Sequence, residues 1–242
     1  EEQKLFYEAS AGTWYDNAFI VAVNTGLRPG ELFALTWEDI DLEKKEINVN
    51  KTMVYQKFDD DEGKTFHVGE PKTKSSIRTV PINNMCEKAL KKQYIQKKIV
   101  ADKYRDKEVK YSDRLFVTKF NTPINSQIFN EAIERMIKEL NLMQSNLEQI
   151  EKFGGHTFRH TFATRCIESG IQPKTLQKYL GHATLQMTMD LYVHTTDEHK
   201  HEEMKKLEDS TERICSDSKS VDEKFENLIK ENDKIIKFTL GA

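Results

Sequence analysis

The spacing of apolar residues changes twice along this 242-residue chain, and the two changes limit it to a mixed helical and sheet fold. Between Glu2 and Asn24, Leu5, Phe6, Ala9, Trp14, Phe19, Ile20 and Val23 recur mostly at intervals of three and four, the period of a helix that buries one face. Gly12 divides this stretch into two short helices, and Gly26 is placed to stop the second. A further short helix at 31–35 is entered through Arg28-Pro29-Gly30. The period then becomes alternating at Ile47, Val49, Thr52 and Val54. After the acidic turn 59–63 it resumes at Phe66 and Val68, then at 77–82, as expected of a small antiparallel three-stranded sheet. Helical spacing returns at 83–100 and 125–140, with a short extended piece at 114–118 between them. Three more helices are expected at 157–169 before Gly170, at 173–180 with Pro173 first and Gly181 after, and at 184–192. The fold class is therefore α+β and mostly α-helical.

With 37% hydrophobic residues the chain can bury one substantial core. No run of about 18 apolar residues occurs, so a soluble, cytoplasmic protein with no membrane partner is expected. Cys86, Cys166 and Cys215 are odd in number, far apart and without C-x-x-C spacing; they fit a reducing compartment and argue against a cysteine zinc site. The chain opens on Glu-Glu-Gln without Met or a signal-like segment, so it reads as a fragment whose upstream part is missing.

The net charge of −3 argues at first against a polyanionic partner, but its distribution does not. Residues 1–50 hold 4 basic and 10 acidic side chains, residues 51–192 hold 24 and 17, and residues 193–242 hold 9 and 13. Within the basic middle, Lys72 to Lys119 has 14 basic against 5 acidic residues, a local excess able to follow a nucleic-acid backbone or simply to face solvent.

Four short motifs carry the chemistry. In Phe153-Gly-Gly-His156-Thr-Phe-Arg159-His160, glycines release the chain into a helix whose first turn holds His156 and Arg159 three apart, where free backbone N–H groups favour an anion. The His156/His160 pair also fits H-x-x-x-H, but Thr157 stands where a metalloprotease needs Glu. In Tyr179-Leu-Gly-His182 followed by Tyr192, two helices meet at a turn; alone, 171–192 also fits a helix-turn-helix. Thr25-Gly-Leu-Arg28-Pro-Gly-Glu31-Leu puts an arginine on a tight turn with Glu31 three residues on, a possible ion pair. Pro71-Lys72-Thr-Lys74-Ser-Ser-Ile-Arg78-Thr-Val-Pro81 is a basic hairpin of a type that can place a cation against a backbone phosphate, with Lys74 and Arg78 as candidates.

Taken together and in this order, TGLRPGEL, PKTKSSIRTVP, HTFRHTFAT and LGH with Tyr192 ten residues later resemble the catalytic domain of the tyrosine recombinase (phage integrase) family, in particular integrases of conjugative transposons and Gram-positive phages. The resemblance covers residues 1–194. It implies the tyrosine recombinase catalytic fold and a site-specific enzyme that cuts and rejoins DNA without metal, ATP or other cofactor. It implies that Arg28 and Arg159 clamp one scissile phosphate, that His156 and His182 complete the cage, and that Tyr192 is the nucleophile. It also implies a hairpin lysine as proton donor to the leaving oxygen. Lys72 is favoured by its Pro-Lys-Thr frame, although Lys72 and Lys74, two apart, would share a face. Glu31 is expected to orient Arg28, and His160 to support from within the helix.

By the same resemblance the partners are double-stranded DNA attachment sites, a homotetramer on two duplexes, and an excisionase or DNA-bending factor, with the enzyme on the nucleoid when bound. Core-binding and arm-binding domains would lie upstream. Residues 195–242 form a polar tail with apolar positions such as Phe225, Leu228 and Ile236, expected to dock on a neighbouring protomer, with packing in cis as the alternative. Two rival functions remain at this stage: a non-catalytic helix-turn-helix DNA-binding protein, which needs neither Arg28 nor the basic hairpin, and a histidine metallohydrolase, which needs further ligands near His156.

Overall fold

The computed structural model describes residues 2–143 and 149–192, and the chain divides into two units, Glu1–Tyr192 and Val193–Ala242. The expected tail helices lie outside the described residues. In the first unit, helices α1 (Glu2–Ser10), α2 (Asp16–Thr25) and α3 (Pro29–Ala34) lead into strands β1 (Ile40–Asp41), β2 (Glu46–Val49), β3 (Thr52–Gln56), β4 (Thr65–Gly69) and β5 (Arg78–Pro81). Helices α4 (Asn84–Lys103), α5 (Ser126–Met143), α6 (Gly155–Glu168) and α7 (Pro173–Leu180) follow, and residues 186–192 are helical.

Local chemistry sets these boundaries. Asn83 caps α4 by accepting a hydrogen bond from the Cys86 amide at 2.8 Å. Pro29 and Pro173 occupy first-turn positions, where a missing N–H costs nothing. The segment 114–118, expected to be extended, is only a bridge from Val117 to Pro123.

The core is aromatic. Phe19 sits 5.2 Å from Phe6 and 5.1 Å from Phe129, and Phe33 lies 5.1 Å from Phe129 at a steep angle, each distance between ring centroids. Phe158 reaches the same cluster from α6, so the helix that carries His156 and Arg159 is fixed to the central packing. Each fully buried phenylalanine contributes about 1.5–3 kcal/mol.

The antiparallel three-stranded sheet has the order β1–β2–β5, with Ile47 opposite Val80 and Val49 opposite Arg78. Its membership differs from the expected one. The hairpin of β3 and β4 pairs only with itself, and the third strand is Ile40–Asp41, too short to leave a periodic signal. The hairpin is nonetheless anchored: a Cβ on Gly30 would lie 2.7 Å from Thr52 Oγ1 and 2.9 Å from the Met53 carbonyl, so only glycine lets α3 press onto β3.

Candidate active site

Three turns converge on one cationic site. Arg28 precedes α3, where the extended backbone before Pro29 keeps it outside the helix. Its side chain, 35% exposed, donates from Nη1 to Glu31 Oε1 at 2.8 Å, and its amide donates to Glu31 Oε2 at 2.9 Å. Glu31 thus pairs with Arg28, as the three-residue spacing suggested. Burial alone would raise the Glu31 carboxyl, but hydrogen bonds and charge from Arg78, helped by Arg28, outweigh it and hold the acid below its usual range.

Arg159 is the structural bridge. It sits on the inner face of α6, 8% exposed, and donates from Nη1 to the Gly26 carbonyl at 2.8 Å and from Nη2 to the Leu180 carbonyl at 2.6 Å. One guanidinium therefore ties the turn before Arg28 to the turn before His182. Burial, reinforced by the Arg28 charge, lowers Arg159 to about 9, so it remains charged at neutral pH. No carboxylate pairs with it among the described residues. A buried cation whose direct partners are carbonyls, with the Glu31 charge acting on it from further away, is suited to receiving an anion.

Both histidines are pushed towards the neutral form. His182 follows Gly181, a left-handed residue at φ +64° that closes α7, and its Nδ1 lies 2.9 Å from Thr188 Oγ1. Burial, then the charges of Arg159, Arg28 and Arg78 and a smaller effect of His160, lower it to about 4. His156, in the first turn of α6, is also lowered by burial and then by Arg159, His160 and Arg28. His160, expected to support from within the helix, lies on α6 with an exposed side chain.

Arg28, Lys72 and His156 line one pocket of about 420 Å³, together with Gly30, Tyr55, Phe66 and Asn125. Lys72 and Lys74 do not lie on the β3–β4 hairpin but on the connection after it. Lys74 opens a short turn, Lys74–Ser76, so the argument that the two share a strand face does not apply. Lys72 lines this pocket and Lys74 does not.

Arg78 departs furthest from its expected place. Expected at the DNA backbone, it is turned inward with a side chain 5% exposed. The alternation of β5 is the reason: Arg78 shares a face with Val80, which is completely buried, while Thr79 faces out.

Tyr192 packs with the small cluster of Ala163, Cys166, Leu176 and Leu180, and its hydroxyl donates to the Ile171 carbonyl. Burial and, to a lesser degree, Cys166 raise its pKa. Tyr192 is not among the residues lining the pocket with Arg28. The cluster also includes Cys166, and burial pushes its thiol up to about 11, so it is no competing nucleophile.

This fold and site define a member of a known family: residues 2–199 match the phage integrase family, and the chain belongs to it. The transposase of transposon Tn916 from Enterococcus faecalis is 32% identical over 224 residues, covering 89% of this chain and 52% of that protein. The ICEBs1 integrase of Bacillus subtilis is 32% identical over 198 residues, covering 81% and 48%. The structure of the Tn1549 transposon integrase in complex with transposon right end DNA aligns with a TM-score of 0.69 at 26% identity, over 85% of this chain and 64% of that one. The chain thus spans about half the length of the relatives it matches. Among the described residues no helix is long and apolar enough to cross a membrane.

Proposed function

We propose that this chain is the catalytic part of a site-specific DNA recombinase that cuts and rejoins DNA through a 3′-phosphotyrosyl intermediate, integrating and excising a mobile element. The observation that carries the reading is the buried Arg159, which has no ion pair among the described residues, held in one frame with Arg28 and His182. Two arginine forks match the non-bridging oxygens of a phosphodiester. Together they stabilise the additional charge of the phosphorane without a metal or cofactor.

The chemistry follows from the remaining groups. Tyr192 releases the Ile171 carbonyl and attacks phosphorus; a neutral imidazole, His182 or His156, accepts the phenolic proton. The P–O bond to the 5′-oxygen breaks as the Tyr192–phosphorus bond forms, and Lys72 gives that oxygen its proton. Because the phosphotyrosyl ester retains the energy of the phosphodiester, a 5′-hydroxyl from a second duplex reverses the step and strands are exchanged.

The partners follow from that chemistry: attachment sites on two duplexes need four active sites, hence a homotetramer, and direction would be set by an excisionase or DNA-bending factor. Lys74 and the other exposed lysines near it supply backbone contacts that position the duplex. Residues 195–242 would couple neighbouring protomers. Removing 221–242 should then abolish synapsis of two duplexes and leave cleavage of one site intact; unchanged assembly would contradict the coupling.

The test of the main reading is incubation with a nicked duplex carrying the attachment site, in the presence of a chelator, followed by denaturing electrophoresis. A covalent protein–DNA adduct that disappears in Tyr192→Phe is expected. An adduct that survives the substitution, or none on the correct DNA, would contradict the reading and favour a non-catalytic DNA-binding role.

A further inference from the structure

We propose that Arg78 is a positioning residue for cleavage: it occupies Glu31 so that Arg28 stays open to the phosphate, and it fixes the turn that carries His182. The inference rests on the recombinase reading above.

The Arg78 fork spans the Glu31 carboxylate, with Nη1 3.1 Å from Oε1 and Nη2 3.0 Å from Oε2. The same two oxygens hold the Nη1 and amide of Arg28. The carboxylate is thereby filled from two sides, and the rest of the Arg28 guanidinium makes no other hydrogen bond among the described residues. Without Arg78, the buried Glu31 carboxylate would lose a cationic partner and would draw the Arg28 fork inward, away from the pocket that Lys72 and His156 share with it.

The other end of Arg78 holds α7. Its Nε donates to the Tyr179 carbonyl at 2.6 Å and its Nη1 to the Ser76 carbonyl at 3.0 Å. Arg159 takes the next carbonyl, that of Leu180. Two arginines therefore bracket the last carbonyls of α7, directly before His182. Gly181 lies against Arg78 so closely that a Cβ there would be 3.0 Å from Cδ and 3.1 Å from Nη1. Four of the five Arg78 N–H groups point into the protein, which also explains why it is no DNA contact.

Arg78→Lys keeps the charge but cannot span both oxygens; Arg78→Met removes both. For each variant and the parent chain, the melting temperature, the affinity for an attachment-site duplex and the single-turnover rate of adduct formation on the nicked duplex are measured. The rate is measured again on a duplex whose scissile phosphate is a methylphosphonate, which has no negative charge for Arg28 to neutralise. We expect Arg78→Lys to fold and bind DNA as the parent does while forming adduct about 100-fold more slowly, the scale set by misplacement of a catalytic group by about an ångström. On the methylphosphonate that deficit should shrink markedly.

A variant that folds and cleaves at the parental rate overturns the inference. So does a deficit of equal size on both substrates, which would mean that Arg78 does not act through Arg28. Loss of fold in both variants would assign Arg78 to the scaffold alone and overturn it too. An active parent with unaffected variants defeats only this inference; an inactive parent defeats the recombinase reading and this inference with it.

Discussion

The Nη2 of Arg159 donates to the carbonyl of Leu180 at 2.6 Å, two residues before His182, so the helix that presents the arginine also fixes where the imidazole stands. Its Nη1 does the same for the turn before Arg28. Arg159→Lys should therefore fail twice. Losing two charge-assisted hydrogen bonds costs about 1.5–3 kcal/mol each at most, seen as a lower melting temperature, and adduct formation should drop by a larger factor than stability alone explains.

His182 gives the chain an acid-sensitive fold. Its folded-state value near 4 lies below the ordinary 6.5, because of burial and the charges of Arg159, Arg28 and Arg78, with His160 adding a little; Thr188 is its hydrogen-bond partner. Between those values the unfolded chain binds the proton and the folded chain does not, so this contribution to stability is present above pH 6.5 and is lost as pH falls towards 4. Melting curves at pH 7.5 and 5 should show a larger drop for the parent than for His182→Gln. Equal drops would contradict the assignment.

Gly181→Ala should be disproportionately harmful for one methyl group. The position has φ +64°, and the added Cβ would sit 2.9 Å from the Ser75 carbonyl. The left-handed conformation alone costs about 1–2 kcal/mol, with the collision in addition. Urea denaturation measures the loss, and the adduct rate should fall further because the displaced turn bears His182.

Lys72 and Lys74 should separate kinetically. Lys72→Ala should slow adduct formation on ordinary DNA but cleave normally a duplex with sulfur in the bridging 5′ position, since a thiolate leaves without a proton donor. Lys74→Ala should weaken DNA binding and leave the rate at saturation unchanged. The reverse pattern would assign the proton to Lys74.

Much of this site was legible in the sequence where the signals are local. Helix α7 runs from Pro173 to Leu180 as expected, because proline at its start and Gly181 after its end are both explicit. The three-residue spacing of Arg28 and Glu31 announced a pair that the structure contains. What depends on distant pairing was not legible. The hairpin of β3 and β4 stands apart from the sheet, and two-residue β1 completes that sheet, for reasons that lie in packing rather than period. Arg78 resembles a surface cation in sequence because its basic neighbours outweigh a signal that is present: alternation with Val80 puts it on the buried face. The Glu31 carboxylate that neutralises it lies 47 residues earlier, beyond any local pattern.

The most direct measurement of the central claim is to trap the adduct on nicked attachment-site DNA, digest it with trypsin and nuclease, and locate the nucleotide remnant by mass spectrometry. The account predicts a phosphodiester-derived mass on the peptide containing Tyr192, absent in Arg159→Lys under the same conditions. A remnant on any other of the eight tyrosines, or on a serine or histidine, would contradict it.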